Sequence, residues 1–275
     1  MNTSPFHDLN ISSDAVGDGI KLFKRLYDFG YRTIAVNQVV DEVATEPKGK
    51  KRKGEKNDVD IVPLPVVVDL PEELAGRLKV LNRLTVRLSD PSQYVKVAQS
   101  ENLKKYHLLA VTPLNENTFQ HLCHTLDVDI ITLTAAEKNL RFNRKLYNLA
   151  VSKNMYFELS YGLALNSSTN RRDLIQLSHT LHGVGKSKNI IITSSATSYL
   201  QIRGPYEVMN LGLLFGLSQD QAKRAISNLP MDVIKKRDGR RFGKNVVTVM
   251  KIDDDGSLDE ITSKAKRLKK TNEIF

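Results

Sequence analysis

The sequence predicts a TIM-barrel-like (β/α) barrel of the α/β class. Short apolar segments alternate with helix-length segments through most of the chain. Unbroken apolar segments, such as residues 190–192, are typical of strands covered on both faces in a parallel sheet. Seven or eight such units in this chain fit a barrel, whose usual length is about 250 residues, better than a flat doubly wound sheet.

The elements can be placed in chain order. We predict strands over residues 6–11, 33–40, 84–88, 108–111, 130–133, 156–159 and 190–192, and either an eighth strand or an edge hairpin over 246–250. A helix capped by Ser13 or Asp14 should follow the first strand and end at Gly30, and a second should cover 116–126. Right-handed crossovers would place the functional loops at the carboxyl ends of the strands.

Residues 189–229 carry the clearest local pattern. After the strand and a polar loop, Pro205 suits the first position of a helix and Gly216 suits the left-handed residue just past its end. Ser218 and Gln221 fit the capping box of a further helix, which Pro230 should end. This segment therefore predicts a strand, a polar loop and covering helices.

Composition bounds the class of protein. The chain has 275 residues, 40% of them hydrophobic, enough for a sizeable core. We expect no membrane span and no secretory signal, and the single Cys123 favours a reducing compartment. We predict a barrel domain over residues 1–230 with a basic flexible loop at about 41–60, and a basic, partly disordered extension over 231–275.

The formal net charge of +10 favours a polyanionic partner. Basic runs lie at residues 48–56, 235–244 and 264–270. Each run alone is as typical of a solvated loop, a disordered tail or a nuclear-localisation signal as it is of nucleic-acid binding. Three runs together favour nucleic acid. The sequence contains no aromatic RNA-binding platform, zinc finger or helix-turn-helix pattern, so we expect recognition of RNA backbone and shape.

Arg171 and Arg172 are candidate phosphate-binding residues. If Thr169 or Asn170 caps the helix, both arginines fall in its first turn, where the macrodipole disfavours cations. Either Asp173 neutralises one arginine, or the pair binds phosphate together with the unpaired N–H groups of the helix end.

Lys186, Lys188 and Arg203 complete the predicted RNA-binding set. Lys186 follows Gly185 as in a P-loop, but Thr180 stands where the first glycine is required, and the segment runs from helix to strand. We therefore reject nucleotide binding and retain Lys186 and Lys188 as phosphate contacts. Arg203 lies in a loop after a strand.

Two groups could hold a metal ion. His121 and His124 share a predicted helix face with Cys123 nearby, but a second ligand cluster is missing, so a structural role is favoured. His7 and Asp8 lie on the first strand, where metallohydrolases often place ligands. We predict no metal site, no cofactor and no catalytic residue.

The chain resembles a known family along residues 6–230. The segments IRGPYEV (202–208) and NLGLLFGLS (210–218) closely resemble the thirty-kilodalton protein subunit of eukaryotic and archaeal ribonuclease P and ribonuclease MRP. Weaker matches precede these segments, in the same order as in the family, at 30–37, 81–92, 126–129, 171–172 and 188–196. The insertion near 45–60 and the carboxyl-terminal tail look specific to this lineage.

The resemblance implies a barrel similar to those of metal-dependent PHP phosphoesterases. It implies a non-catalytic, RNA-binding subunit of particles that remove the 5′ leader of precursor tRNA or process precursor rRNA, with catalysis by the RNA. Expected partners are ribonuclease P RNA, MRP RNA, precursor tRNA, a small α/β Pop-family subunit and other proteins of the particle, in the nucleus and nucleolus. Asn10 and Ser12 stand where the PHP pattern has histidines.

Two alternatives remain open at this stage. One is a metal-dependent phosphoesterase of PHP type using His7 and Asp8. The other is a protein-interaction module whose basic runs serve nuclear import alone.

Overall fold

Seven parallel strands follow one another around the sheet in chain order. The computed structural model describes residues 5–41, 60–133, 140–242, 250–252 and 258–260, with side chains described as far as Asp238. The strands are β1 (Phe6–Ser12), β2 (Tyr31–Val40), β3 (Lys79–Leu88), β4 (Leu108–Pro113), β5 (Ile130–Thr132), β6 (Tyr156–Ser160) and β7 (Ile190–Thr193). All seven confidently placed strands of the prediction are confirmed, with ends shifted by a few residues.

The sheet closes on itself between β7 and β1. The Ser195 N–H donates to the Asn10 carbonyl at 2.7 Å, and the Ser12 N–H donates to the Ala196 carbonyl at 2.9 Å. These bonds join the carboxyl ends of the first and last strands. The predicted TIM-barrel-like fold is therefore confirmed, with seven strands.

The eighth strand or edge hairpin predicted over residues 246–250 falls mostly on residues that the structure does not describe. Residues 243–249 lie outside the described part of the chain, and β8 (Met250–Ile252) pairs antiparallel with β9 (Leu258–Glu260) in a separate sheet. The basic loop at 42–59 and the tail from 261 also lie outside the described residues.

Nine helices are described around this barrel. They are α1 (Ile20–Asp28), α2 (Pro91–Gln99), α3 (Glu116–His124), α4 (Arg144–Ser152), α5 (Gly162–Asn166), α6 (Ser168–Gly185), α7 (Pro205–Leu214), α8 (Gln219–Ile226) and α9 (Asn228–Phe242). Among the helices in the described ranges, none is both long and apolar enough to cross a membrane.

Helix ends confirm some of the local predictions and correct others. Pro205 opens α7, Gly216 is left-handed at φ 79°, and the Ser218–Gln221 capping box is present. Predictions at three other ends were wrong, two of them because neighbouring polar side chains compete for the same backbone N–H groups. Ser12 caps a 3-10 helix over Ser13–Asp18, Ser167 caps α6, and α8 already ends at Ile226, which leaves Pro230 in the first turn of α9.

The barrel interior has an apolar layer near the amino ends of the strands. This layer includes Leu9, Ala35, Leu81 and Ile191. Helix α9 covers it at the amino end of the barrel. Val233 and Ile234 of α9 pack into the layer. The domain boundary expected at residue 230 thus falls inside a helix that packs against the barrel.

Candidate functional site

A buried ion pair crosses the barrel interior above the apolar layer. Arg83 of β3 donates to both carboxylate oxygens of Glu158 of β6, at 2.5 and 2.6 Å. Both side chains are fully buried. The same guanidinium donates to the Leu9 carbonyl and to Thr132 Oγ1, each at 2.8 Å. One arginine thereby links four strands of the barrel.

The polar network extends from Arg83 towards β1. Arg83 Nε donates to Thr85 Oγ1 at 3.1 Å, and Thr85 Oγ1 donates to Asn37 Oδ1 at 2.7 Å. Asn37 Nδ2 donates in turn to Asn10 Oδ1 at 2.9 Å. The sequence analysis missed this network. Its signal was only partial: Glu158 follows two apolar residues in β6, whereas Arg83 shares β3 with Lys79, Asn82 and Arg87.

The charge of Arg83 controls the ionisation of Glu158. Burial by itself would raise the pKa of Glu158, but the Arg83 charge and hydrogen bonds from Arg83, Thr132 and Thr193 outweigh it and hold the pKa below its ordinary value. Glu158 is therefore a carboxylate at neutral pH, and the pair is a satisfied structural element.

The donor set around this pair does not fit a catalytic metal ion of the kind that PHP-type barrels use. Such a site needs several His and carboxylate ligands around one cation. Here a guanidinium already takes both oxygens of Glu158. Within the described part of the chain, no group of three or more His, Cys, Asp and Glu residues could hold a metal ion.

His7 and Asp8 do not form a catalytic pair. His7 is buried, and neither of its ring nitrogens has a hydrogen-bond partner in the described structure. Burial, with the charge of Lys79, lowers its pKa to about 4, so the ring is neutral at physiological pH. The Asp8 carboxylate accepts from the N–H groups of Ser194 and Asn10, and so fastens the β1–β7 closure.

Asp8 gives a testable dependence of stability on pH. Burial raises its pKa to about 6, and the hydrogen bonds from Ser194 and Asn10 oppose this only in part. Because the folded-state pKa exceeds the unfolded value, ionisation of Asp8 destabilises the fold as pH rises from about 4 through 6. We expect Asp8→Asn to raise the free energy of unfolding by about 1–3 kcal/mol at pH 7.5 and to lose that gain near pH 4.

Urea denaturation of both proteins across this pH range measures the difference. At each pH, the difference between Asp8→Asn and wild type cancels the contribution of His7. That contribution has the opposite sign, because protonation of the buried His7 ring destabilises the fold as pH falls. A gain that is equal at pH 4 and 7.5 would show that Asp8 ionises in the folded state as it does in the unfolded chain.

The histidine–cysteine group on α3 is dispersed. Cys123 is buried in the core, and burial raises the pKa of its thiol to about 12, while His124 is exposed. The structural role favoured for this group agrees with its placement.

The five predicted RNA-binding residues lie at two ends of the barrel. Arg171 and Arg172 are exposed near the start of α6, and Lys186 and Lys188 are exposed beyond its end. At about 1.5 Å per residue, Arg171 and Lys186 are roughly 20 Å apart along the helix axis. These residues cannot contact a single phosphate group together.

The predicted arginines lie at the carboxyl end of the barrel strands, and their surroundings differ from those predicted. With Ser167 as the cap, Arg171 and Arg172 stand just past the first turn, and the Arg171 N–H bonds within the helix to the Ser167 carbonyl. Arg171 Nε donates to the Ala164 carbonyl at 3.1 Å. The backbone N–H of Arg171 itself is therefore not free to bind a phosphate. Arg203 is half-buried, and its Nη1 donates to the Leu200 carbonyl at 2.9 Å.

The fold and its interior define the class of protein: a closed parallel (β/α) barrel whose polar interior is joined by an arginine–glutamate pair. An amidohydrolase crystal structure shares the fold, with a TM-score of 0.54 at 8% identity over 86% of this chain and 75% of that one. A chain in the cryo-EM structure of archaeal ribonuclease P with mature tRNA also shares it, with a TM-score of 0.60 at 16% identity over 90% and 99%.

Sequence comparison identifies the family. Residues 5–242 match the family described as RNase P subunit p30. The chain is 34% identical over 252 residues to ribonuclease P protein subunit p30 of Mus musculus, covering 90% of this chain and 91% of that protein. It is 29% identical over 243 residues to a probable ribonuclease P protein subunit 3 of Schizosaccharomyces pombe, covering 86% and 95%. The chain belongs to the RNase P subunit p30 family.

Proposed function

We propose that this chain is a non-catalytic, RNA-binding protein subunit of ribonuclease P and ribonuclease MRP. The observation that carries the proposal is the family match over residues 5–242, nearly the whole described barrel. A related protein from Saccharomyces cerevisiae, 26% identical over 222 residues, is named a ribonuclease P/MRP protein subunit. The charge of +10 suits binding to a polyanion.

The role of the barrel is to hold basic side chains in fixed positions against folded RNA. Arg171, Arg172, Lys186, Lys188 and Arg203 neutralise phosphates, which releases counterions and makes binding strongly dependent on salt. The interior supports this role, since the Arg83–Glu158 pair and α9 fix the strands that carry these loops.

The proposed partners are the ribonuclease P and MRP RNAs, precursor tRNA within the assembled particle, a small α/β Pop-family subunit and the other proteins of the particle. The proposed location is the nucleus and nucleolus, where precursor tRNA and rRNA are processed.

Purification of the tagged chain from its own cells tests the proposal. The associated RNA is sequenced, and cleavage of precursor tRNA is assayed before and after nuclease treatment. We expect one or two discrete structured RNAs and cleavage that nuclease abolishes. Hydrolysis that survives nuclease but is lost with a chelator and in His7→Ala and Asp8→Asn variants would assign a metalloenzyme instead.

Charge reversal on α6 tests the arginine contacts. We expect Arg171→Glu/Arg172→Glu to weaken binding of ribonuclease P RNA about tenfold or more and to make the slope of log affinity against log salt shallower by about 1–2. Filter binding at several salt concentrations measures both. Unchanged affinity and slope, with an unchanged melting temperature, would remove Arg171 and Arg172 from the interface.

A further inference from the structure

A basic surface covers the amino end of the barrel, opposite the end where (β/α) barrels place their functional loops. It consists of the loops before β5, β6 and β7, together with α8 and the described part of α9. Its exposed basic side chains are Lys186, Lys188, Lys223, Arg224 and Lys235, and Lys153 is half-buried. We call this set the amino-end surface. The exposed acidic side chains of the same segments are fewer: Asp127, Asp220 and Asp232.

Specific bonds hold these segments together as one surface. Gln221 Nε2 of α8 donates to the Lys186 carbonyl at 3.1 Å. Lys236 Nζ of α9 donates to the carbonyls of Val128 and Lys153, at 3.1 and 3.0 Å, and lies 3.4 Å from Asp127. Lys236 is thus engaged in joining α9 to the barrel, and Lys153 Nζ donates to the His124 carbonyl. The other lysines of the surface and Arg224 are exposed.

The backbone presents Lys186 and Lys188 in a strained turn. Lys186, Ser187 and Asn189 all have positive φ, at 55°, 55° and 53°. Glycine is the usual residue in this conformation after a helix. This chain has lysine at position 186 instead. Functional constraints can maintain a residue other than glycine in this strained conformation.

Helix electrostatics explain only part of the pattern. Cations at the ends of α4, α6 and α8 are stabilised by the helix macrodipoles, which accounts for Lys153, Lys186, Lys223 and Arg224. Lys188 lies beyond α6, and Lys235 lies in the middle of α9, so the macrodipole does not account for these two.

The chemistry of the surface favours nucleic-acid backbone over protein. In its described segments no large apolar side chain is exposed, whereas α7 exposes Tyr206, Leu213 and Leu214. Protein interfaces are usually centred on buried apolar or aromatic residues. A basic surface without such residues suits phosphates, and without aromatic side chains it offers no stacking for bases.

We infer that the amino-end surface is a second RNA-contacting face of this chain, besides the arginines at the other end of the barrel, and binds the phosphodiester backbone of a folded RNA without reading its bases. The inference rests on the proposed function and adds the face that meets the RNA. It extends the contact set from Lys186 and Lys188 to Lys223, Arg224 and Lys235.

Two variants of the full chain test the inference against ribonuclease P RNA transcribed in vitro. Lys223→Glu/Arg224→Glu reverses two exposed charges on α8. Lys186→Gly/Lys188→Gln removes two charges while relieving the positive φ at 186. The matched control, Arg144→Glu/Lys145→Glu, reverses two exposed charges in the first turn of α4, at the other end of the barrel.

Each amino-end variant is expected to lose at least about tenfold in affinity at moderate salt and to flatten the salt slope by about 1.5, whereas the control loses less than about threefold. The melting temperature of Lys186→Gly/Lys188→Gln should be unchanged or higher, which separates binding from folding. Wild-type affinity and slope in both amino-end variants, or an equal loss in the control, would overturn the inference.

Two further outcomes also count against it. If the variants keep RNA affinity but lose a protein from nuclease-treated particles, the surface binds an acidic protein. If wild type itself neither binds this RNA nor recovers it from cells, the proposed function fails first. Failure of the proposed function is distinguishable from failure of the inference, because it is observed with the wild-type chain alone.

Discussion

Replacing Arg83 with methionine is expected to lower the free energy of unfolding by about 3–5 kcal/mol, since it leaves the Glu158 carboxylate buried without its charge partner. Urea denaturation at pH 7.5 measures the loss. The pKa of Glu158, now governed by burial, should rise in the variant. The variant should therefore gain stability as pH falls from neutral towards 5, whereas in wild type the depressed pKa makes Glu158 stabilise the fold above its unfolded pKa.

The double variant Arg83→Met/Glu158→Leu is the matched control. Removing both charges leaves no buried ion, so at least half of the lost stability should return. A loss below about 1 kcal/mol in Arg83→Met alone would show that Glu158 takes up a proton or reaches water, and that the pair does not hold the barrel interior together.

Adding a single methyl group at Gly185 is expected to cost about 3 kcal/mol, near the upper end for overpacking a core. A Cβ at this position would lie 2.0 Å from Cε1 of Tyr147. The Tyr147 ring cannot easily move, because it stacks on Phe157 at 4.4 Å between ring centroids and its hydroxyl donates to the Lys188 carbonyl at 2.5 Å. Gly185→Ala should therefore separate α6 from α4.

Gly183, two residues earlier in α6, provides the control. A Cβ there meets no atom within 4 Å. Gly183→Ala should stabilise the chain by about 0.5–1 kcal/mol, because alanine has the higher helix propensity. Thermal or urea unfolding of the two variants gives opposite signs if close packing decides. Equal effects at both positions would show that Tyr147 moves aside.

The same Tyr147 bond connects the core to the amino-end surface. Its hydroxyl holds the carbonyl of Lys188, in the turn that presents Lys186 and Lys188. Gly185→Ala is therefore unsuited to a binding experiment, whereas Lys186→Gly leaves this contact in place.

Local patterns in the sequence were sufficient for the elements of the fold. Apolar segments marked the strands because a parallel sheet is covered on both faces. Pro205, Gly216 and the Ser218–Gln221 box were placed correctly, since backbone geometry and capping act within a few residues. The residues at 202–218 also carried the family resemblance, which the match over residues 5–242 confirmed.

Exact caps were less predictable. Ser12 and Ser167 cap where a nearby residue was expected, because adjacent polar side chains can satisfy the same N–H groups. The shift of the α6 cap by two or three residues changed the setting of Arg171, whose N–H is bonded inside the helix.

The sequence by itself determined the alternation of strands and helices, the basic balance and the family. Only the tertiary structure decided that Arg83 pairs with Glu158, 75 positions later in the chain. It alone also decided that α9 covers the amino end of the barrel. It also decided that the predicted basic residues divide between the two ends of the barrel. These outcomes depend on barrel closure, because contacts between distant strands are set by the register of the sheet and not by local sequence.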